Sequence, residues 1–322
     1  MRRGAGAFII RRILTGPTAR LNVKEAVIIM GIGEAARRLG LDVERGAAPP
    51  LVLCDFAADA AALAEPLGRL TDVAVLIAEA PSKDEALKAV ATAWRAGAPA
   101  YVAAELLAEL APVARTTTVA GREFVPFEGV RRGPGRSLAK WLMDKLVASA
   151  FIVILTPIWL PMFAAIKLDS RGRIIFRQKR VTRGRREFNM YKFRTMFATV
   201  PKYQQSPPGA DDIRVTRVGR VLRKLGLDET AQLINVLKGQ MSLVGPRPEM
   251  ALAAAEYEPW QNVRLSAKPG ITGLWQIAGR ADRPIRESLE FDFYYLAHRS
   301  LALDAKIFLK TIPILFGKGG RH

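Results

Sequence analysis

The sequence predicts two domains of different class: an α/β domain over residues 23–128 and an α+β domain over residues 138–318. A short segment, 1–22, precedes the first, and a linker, 129–137, joins the two. Three observations lead there. Short apolar runs alternate with helix-like segments in the first part, the pattern of a parallel sheet covered by helices. Charge is unevenly divided: residues 1–130 hold 15 Lys/Arg and 15 Asp/Glu, whereas residues 131–322 hold 34 and 15, so the whole +19 lies in the second part. That part also contains 21 consecutive residues without a charge, Leu146 to Ile166.

In the first part, Ala26-Val-Ile-Ile-Met30 reads as a buried strand running into a short helical stretch that ends near Leu39. Leu51–Asp55, Val73–Ile77 and Ala100–Ala103 are further strands, and Lys83–Trp94 is a helix. Gly31-x-Gly33-x-x-Ala36 fits the dinucleotide fingerprint, and Asp55 falls near the place of the ribose-binding acid. Such short glycine motifs are common after strands, and the segment before the second strand is Pro-rich. The expected domain is therefore a degenerate Rossmann fold, a remnant used for packing, partner contact or regulation, with NAD not expected as a ligand. Residues 129–137 (GVRRGPGRS) have linker composition.

The uncharged run is long enough to cross a hydrocarbon core of roughly 30 Å as a helix. A buried core helix is the alternative. Pro157 and Pro161 fall in its middle, and each removes an N–H and clashes with the carbonyl four residues back. Both flanks are basic, from Arg131 to Lys145 and from Lys167 to Arg186. The positive-inside rule puts both in the cytoplasm. A re-entrant helix-break-helix over about 140–167 satisfies that, with arms of about 15 Å meeting at Thr156-Pro157. A single span does not.

Next, Ile174–Val181 and Glu187–Arg194 form a predicted hairpin around Arg183-Gly184-Arg185. Lys192 and Arg194, two apart, would share a strand face suited to a diphosphate; a solvated basic edge strand is the competing reading. Asp228-Glu229 is a pair of acids in a cationic region. Leu233, Val236 and Leu237 recur at helical spacing behind it, which puts the pair at a helix N-terminus. Carboxylates among cations suit phosphoryl chemistry: one attacks phosphorus, the other holds a divalent metal, and the cations hold phosphate. One cysteine, Cys54, and two histidines, His298 and His322, leave little room for disulfide or His/Cys metal chemistry. Ser300–Phe316, with Asp304, Lys306 and Lys310 as its only charges, reads as an interfacial amphipathic helix or a core helix.

An ordered set of motifs carries a resemblance. It includes Lys140-Trp-Leu-Met-Asp144, Phe176-Arg-Gln-Lys-Arg180, Tyr191-Lys-Phe-Arg-Thr-Met196 and Asp212-x-Arg214-x-Thr216-x-x-Gly219-Arg220. Leu227-Asp-Glu229, Asn235-Val-Leu-Lys-Gly239, Met241–Pro248 and Lys268–Gly273 continue it. Over residues 138–318 the chain resembles the bacterial sugar transferases, monotopic phosphoglycosyl transferases. The resemblance implies transfer of sugar-1-phosphate from a UDP-sugar to polyprenyl phosphate, with UMP leaving, at the cytoplasmic face of the bacterial inner membrane. It implies Asp228 as nucleophile, Glu229 as ligand to Mg²⁺ (Mn²⁺ as the alternative ion), and Arg223 as a basic residue beside them. Substrate contacts are expected from Lys192, Arg194, Asp212, Arg214, Gln232, Arg280 and the segment Pro246-Arg247-Pro248. Thr156-Pro157 corresponds to the membrane break.

The dyad is commonly flanked by Ser-Leu and Leu-Pro-Gln in that family; here Gly226, Thr230 and Ala231 depart from the pattern. Residues 1–130 bear some likeness to the soluble domain of longer members, which often transfer hexose-1-phosphate, so UDP-glucose or UDP-galactose is expected ahead of UDP-N-acetylhexosamines. Expected partners are polyprenyl phosphate, the UDP-sugar, membrane lipids and downstream glycosyltransferases, with a homodimer left open and no nucleic acid. A non-enzymatic basic membrane or nucleic-acid adaptor with an NAD-sensing domain is the reading from another class. The uncharged run and the dyad argue against it.

Overall fold

The computed structural model describes residues 26–31, 33–44, 52–69, 73–130, 134–201, 212–278 and 284–315. The expected N-terminal segment and Arg280 lie outside these residues, as does the side chain of Asp55. In chain order the first elements are β1 (Ala26–Met30), α1 (Glu34–Glu44), β2 (Val52–Ala57), α2 (Ala64–Arg69), β3 (Val73–Ile77), α3 (Lys83–Arg95), β4 (Ala100–Ala103), β5 (Thr117–Val119) and β6 (Arg122–Phe127). A long helix, α4 (Pro134–Asp169), follows, then the hairpin β7 (Ile175–Val181) and β8 (Glu187–Phe193). Next come α5 (Arg217–Lys224), a 3₁₀ turn Leu227–Ala231, α6 (Gln232–Leu237), β9 (Ser242–Val244), β10 (Glu249–Met250) and α7 (Ala251–Ala255). The chain continues through β11 (Gly270–Thr272), α8 (Leu274–Ile277), α9 (Leu289–His298) and α10 (Leu301–Leu315).

Two compact units result. The first contains a six-stranded sheet in the order β2-β1-β3-β4-β6-β5. Its first four strands are parallel, and β6 and β5 extend it antiparallel. β3 and β4 are buried along their whole length, as expected of strands covered on both faces. Ser82 starts α3 by accepting from the Glu85 N–H at 3.1 Å. The β5–β6 turn places Ala120 and Gly121 at φ 47° and 77°, the left-handed pair that a two-residue hairpin requires.

The first unit also takes in residues 258–264 and 289–299, which the sequence assigned to the second domain. Among them is α9, buried from Leu289 to Ala297. Within this unit Phe293 stacks on Trp94 at 5.5 Å, and the Tyr294 hydroxyl accepts from the Arg115 N–H at 2.8 Å. The assignment of all of 138–318 to the second domain therefore needs correction: apolar residues far along the chain complete the first core. The linker is also shorter than expected, since Pro134 already begins α4, consistent with proline's tolerance in a first helical turn.

The second unit is built on α4, a 36-residue helix containing both prolines. Two arms separated at Thr156-Pro157 were expected; the structure has a single helix there. The Thr156 hydroxyl bonds the Ile152 carbonyl at 2.7 Å. The inward residues Asp144, Ala148, Trp159, Met162 and Ile166 recur at helical spacing, while Leu146, Val153, Ile154 and Leu160 are exposed. Both ends of the helix are fastened within this same unit. Near the start, Asp144 accepts from Ser242 Oγ at 2.7 Å, and Lys145 donates to the Leu237 carbonyl. At the end, Asp169 accepts from the Val218 N–H at 3.0 Å. α10 turns Asp304, Ile307 and Thr311 inward; Asp304 pairs with Lys140 at 3.0 Å and Thr311 bonds Thr272 at 2.6 Å.

Candidate active site

The dyad is placed by a helix that ends and a turn that starts. α5 is capped by Thr216, whose hydroxyl accepts from the Gly219 N–H at 3.0 Å. A side chain at position 219 would collide with the backbone of Thr195, so glycine lets α5 sit directly on the segment that follows β8. Gly226 then ends the helix at φ 66°, the left-handed stop that favours glycine. Asp228 and Glu229 follow in the 3₁₀ turn, and Asp228 is buried.

Cations converge on this turn. Lys192, from β8, pairs with Glu229 at 3.1 Å. Arg223 donates from Nε to Thr195 Oγ1 at 2.8 Å. Burial lowers the Arg223 guanidinium pKa, and the charges of Asp228, Asp212 and Glu229 oppose that shift. Arg180, from β7, donates to the Pro248 carbonyl at 3.2 Å and to Gln178 Oε1 at 2.6 Å. Burial pushes its pKa down to about 10, partly offset by Glu249 and Glu229, so it remains charged at neutral pH. Spacing within Phe176-Arg-Gln-Lys-Arg180 does not single Arg180 out from the other cations of that run.

Other expected residues divide into those at the dyad and those occupied elsewhere. Arg194 requires correction as a phosphate ligand. Its guanidinium is buried and donates to the carbonyls of Ile166, Ser170 and Arg171 at 2.6–3.0 Å, closing the end of α4. Arg194 lies one residue past β8, where strand alternation no longer sets its direction. Asp212 and Arg214 bond each other through Nε and Nη2 at 2.9 and 2.7 Å. These bonds hold the Asp212 carboxyl down to about 2. Gln232 is buried just after the turn. Arg247 lies over the Trp275 ring at 5.0 Å, and the Pro246 carbonyl accepts from the Gly270 N–H at 2.9 Å, where β9 and β11 pair.

Asn235 is fully buried. Its Oδ1 accepts from the Tyr191 N–H at 2.9 Å, and its Nδ2 donates to the Asn189 carbonyl at 2.7 Å and Gln240 Oε1 at 2.8 Å. These bonds lock α6, behind the dyad, to β8, which carries Lys192.

Among the described residues no group of three or more His, Cys, Asp or Glu side chains forms a metal cage. Two adjacent carboxylates suit a hard cation shared with substrate phosphates, since Mg²⁺ usually keeps waters and takes only one or two protein carboxylates.

In the first unit, Gly31 has φ 135° and Gly33 lies at the start of α1. The amides there are already occupied: the Gly33 and Ala35 N–H groups donate to the Glu79 carboxylate at 2.6 and 2.9 Å. A side chain at position 33 would displace that carboxylate. The site where a pyrophosphate would bind holds the chain's own anion.

Several known proteins are similar to this chain. At 43% identity over 187 residues it resembles the UDP-N-acetylgalactosamine-undecaprenyl-phosphate N-acetylgalactosaminephosphotransferase of Aeromonas hydrophila, covering 56% of this chain and 44% of that protein. The exopolysaccharide production protein ExoY of Sinorhizobium fredii is 36% identical over 205 residues, 59% of this chain and 91% of ExoY. The UDP-glucose:undecaprenyl-phosphate glucose-1-phosphate transferase of Caulobacter vibrioides is 39% identical over 188 residues, 55% of this chain and 70% of that protein. The family model described as bacterial sugar transferase matches residues 135–318, which include α4, the dyad turn and its cations. With more than half its length matched, the chain belongs to the bacterial sugar transferase family.

Proposed function

We propose that this chain transfers sugar-1-phosphate from a UDP-sugar to undecaprenyl phosphate, through a phosphosugar intermediate on Asp228. The observation that carries this reading is the buried carboxylate of Asp228 in a turn flanked by Arg223 and by the Lys192–Glu229 pair. The names of the relatives support the substrate class.

In the first step an Asp228 carboxylate oxygen attacks the phosphorus that bears the sugar. The bond from that phosphorus to the bridging oxygen breaks, and UMP leaves with the electron pair. In the second step an oxygen of undecaprenyl phosphate attacks the same phosphorus, and the Asp228 carboxylate is released. Both nucleophiles are anions, so no proton must be removed from either. The difficulty is like-charge repulsion, and fixed cations at Lys192, Arg223 and Arg180 counter it without reorganising during the reaction. A divalent cation, held by Glu229 with Asp228 beside it, would neutralise phosphoryl oxygens when bound. Arg247, packed on Trp275, is assigned to the nucleotide.

We assign UDP-glucose or UDP-galactose as donor. The 43% identity to the Aeromonas protein favours a second reading, a UDP-N-acetylhexosamine. UMP release against a panel of UDP-sugars decides between them. Turnover should require undecaprenyl phosphate and Mg²⁺, and Asp228→Asn should abolish it. Full activity in that variant would overturn the nucleophile assignment.

We further propose that the protein is monotopic at the cytoplasmic face of the inner membrane. A 36-residue helix is about 54 Å long if straight. Its apolar face is exposed, yet both ends bond to residues of one unit, which supports both ends lying on one side of the bilayer. In the first unit, the Glu79 plug supports a domain that does not use NAD.

A further inference from the structure

The apolar helix and the dyad turn meet through a polar contact. Trp159 is buried on the inward face of α4, between Ile158 and Leu160, which are exposed to 45% and 65%. Its indole Nε1–H donates to Thr230 Oγ1 at 3.2 Å. The same hydroxyl donates onward to the Leu227 carbonyl at 2.6 Å. The direction is fixed, because an indole N–H only donates and a carbonyl only accepts. Leu227 and Thr230 bracket Asp228 and Glu229, so this bond closes a ring across the dyad. The Trp159 ring also packs edge-on to Phe193 at 5.4 Å, and Phe163 packs on Phe193 at 5.5 Å. Phe193 directly follows Lys192, the partner of Glu229. One face of the helix therefore touches the dyad turn and the strand end that supplies its cation.

We propose that Trp159 and Thr230 are positioning residues that latch the dyad turn to α4, so that seating the helix in lipid sets the direction of the Asp228 carboxylate. The role in turnover rests on the transferase reading; the contact and its effect on the turn do not. Neither side chain is a catalytic residue, because each acts through the turn.

The test uses the full chain in vesicles containing undecaprenyl phosphate. Thr230→Val keeps the side-chain shape and removes the hydroxyl. Trp159→Phe keeps a ring and removes the N–H. Thr230→Ser keeps the hydroxyl. Loss of a bond of ordinary strength corresponds to about a five- to tenfold fall in kcat. That fall is expected for Thr230→Val and Trp159→Phe, with KM for the UDP-sugar unchanged. Thr230→Ser should stay within about twofold of wild type, and the double variant should fall no further than the worse single one. Amide hydrogen exchange over residues 227–233 should quicken in Thr230→Val and not in Thr230→Ser. Wild-type kcat in Thr230→Val, whatever its exchange, would overturn the proposal, as would effects of the two substitutions that simply multiply. If the wild type turns over no donor, the transferase reading fails by itself. The exchange measurement then decides the latch: unchanged exchange in Thr230→Val sinks it.

Discussion

Replacing Asn235 with alanine tests how the dyad is held. Asn235 makes three hydrogen bonds from a fully buried position, to the Tyr191 N–H, the Asn189 carbonyl and Gln240 Oε1. Truncation removes all three and leaves a buried donor and acceptors of β8 and Gln240 without those bonds. At about 1 kcal/mol per bond the loss is about 3 kcal/mol. For a unit of this size that corresponds to a fall of roughly 6–12 °C in Tm. The assay is thermal unfolding in detergent, with hydrogen exchange at the Tyr191 amide as the local readout. That amide should lose protection more than the β7–β8 ladder does as a whole. A fall of under about 0.5 kcal/mol with the Tyr191 amide still protected would refute the reasoning. It would mean that β8 and α6 are aligned by apolar packing alone.

Further outcomes follow from other contacts. Glu79→Ala should destabilise the first unit by about 1–2 kcal/mol, because the Gly33 and Ala35 amides lose their acceptor; faster hydrogen exchange in α1 is the check. Glu290 is fully buried beside Lys83, and burial raises its pKa. The folded state then holds its proton more tightly than the unfolded state, so stability declines as pH rises from the unfolded pKa through the raised folded one. The first unit should therefore gain stability through this group as pH falls from the raised folded pKa toward the ordinary carboxylate range, and Glu290→Gln should flatten that part of the melting profile. For topology, cysteines at Lys145 and Lys167, with Cys54 replaced by serine, should both react with an impermeant reagent from the cytoplasmic side; labelling from opposite sides would exclude a monotopic helix.

Local patterns were legible in the sequence and distant pairings were not. The apolar runs at 26–30, 73–77 and 100–103 coincide with β1, β3 and β4, because a strand buried on both faces must be continuously apolar. The hairpin around Gly184 was readable for a similar local reason. Asp228 and Glu229 stood out as acids in a basic region, and the structure brings Lys192 and Arg223 to them. What escaped depends on contacts far apart in sequence. Glu79 lies 46 residues from Gly33, Asn235 lies 44 from Tyr191, and Thr230 lies 71 from Trp159. Nothing in Leu289–His298 indicates that it completes the core of a unit begun at Ala26. The charge of Arg194 suggests a phosphate ligand, whereas its geometry serves backbone carbonyls. Pro157 and Pro161, readable as a break, both lie inside α4, with the Thr156 hydroxyl bonded to a carbonyl of the preceding turn.

The most direct test of the central claim is the intact mass of the full chain, quenched after mixing with UDP-sugar and Mg²⁺ in the absence of undecaprenyl phosphate. The account predicts one equivalent of sugar-phosphate bound covalently, mapped to Asp228, absent in Asp228→Asn, and discharged when undecaprenyl phosphate is added. Acceptor-dependent UMP release with no covalent adduct at any time, or an adduct mapped to another residue, would contradict it.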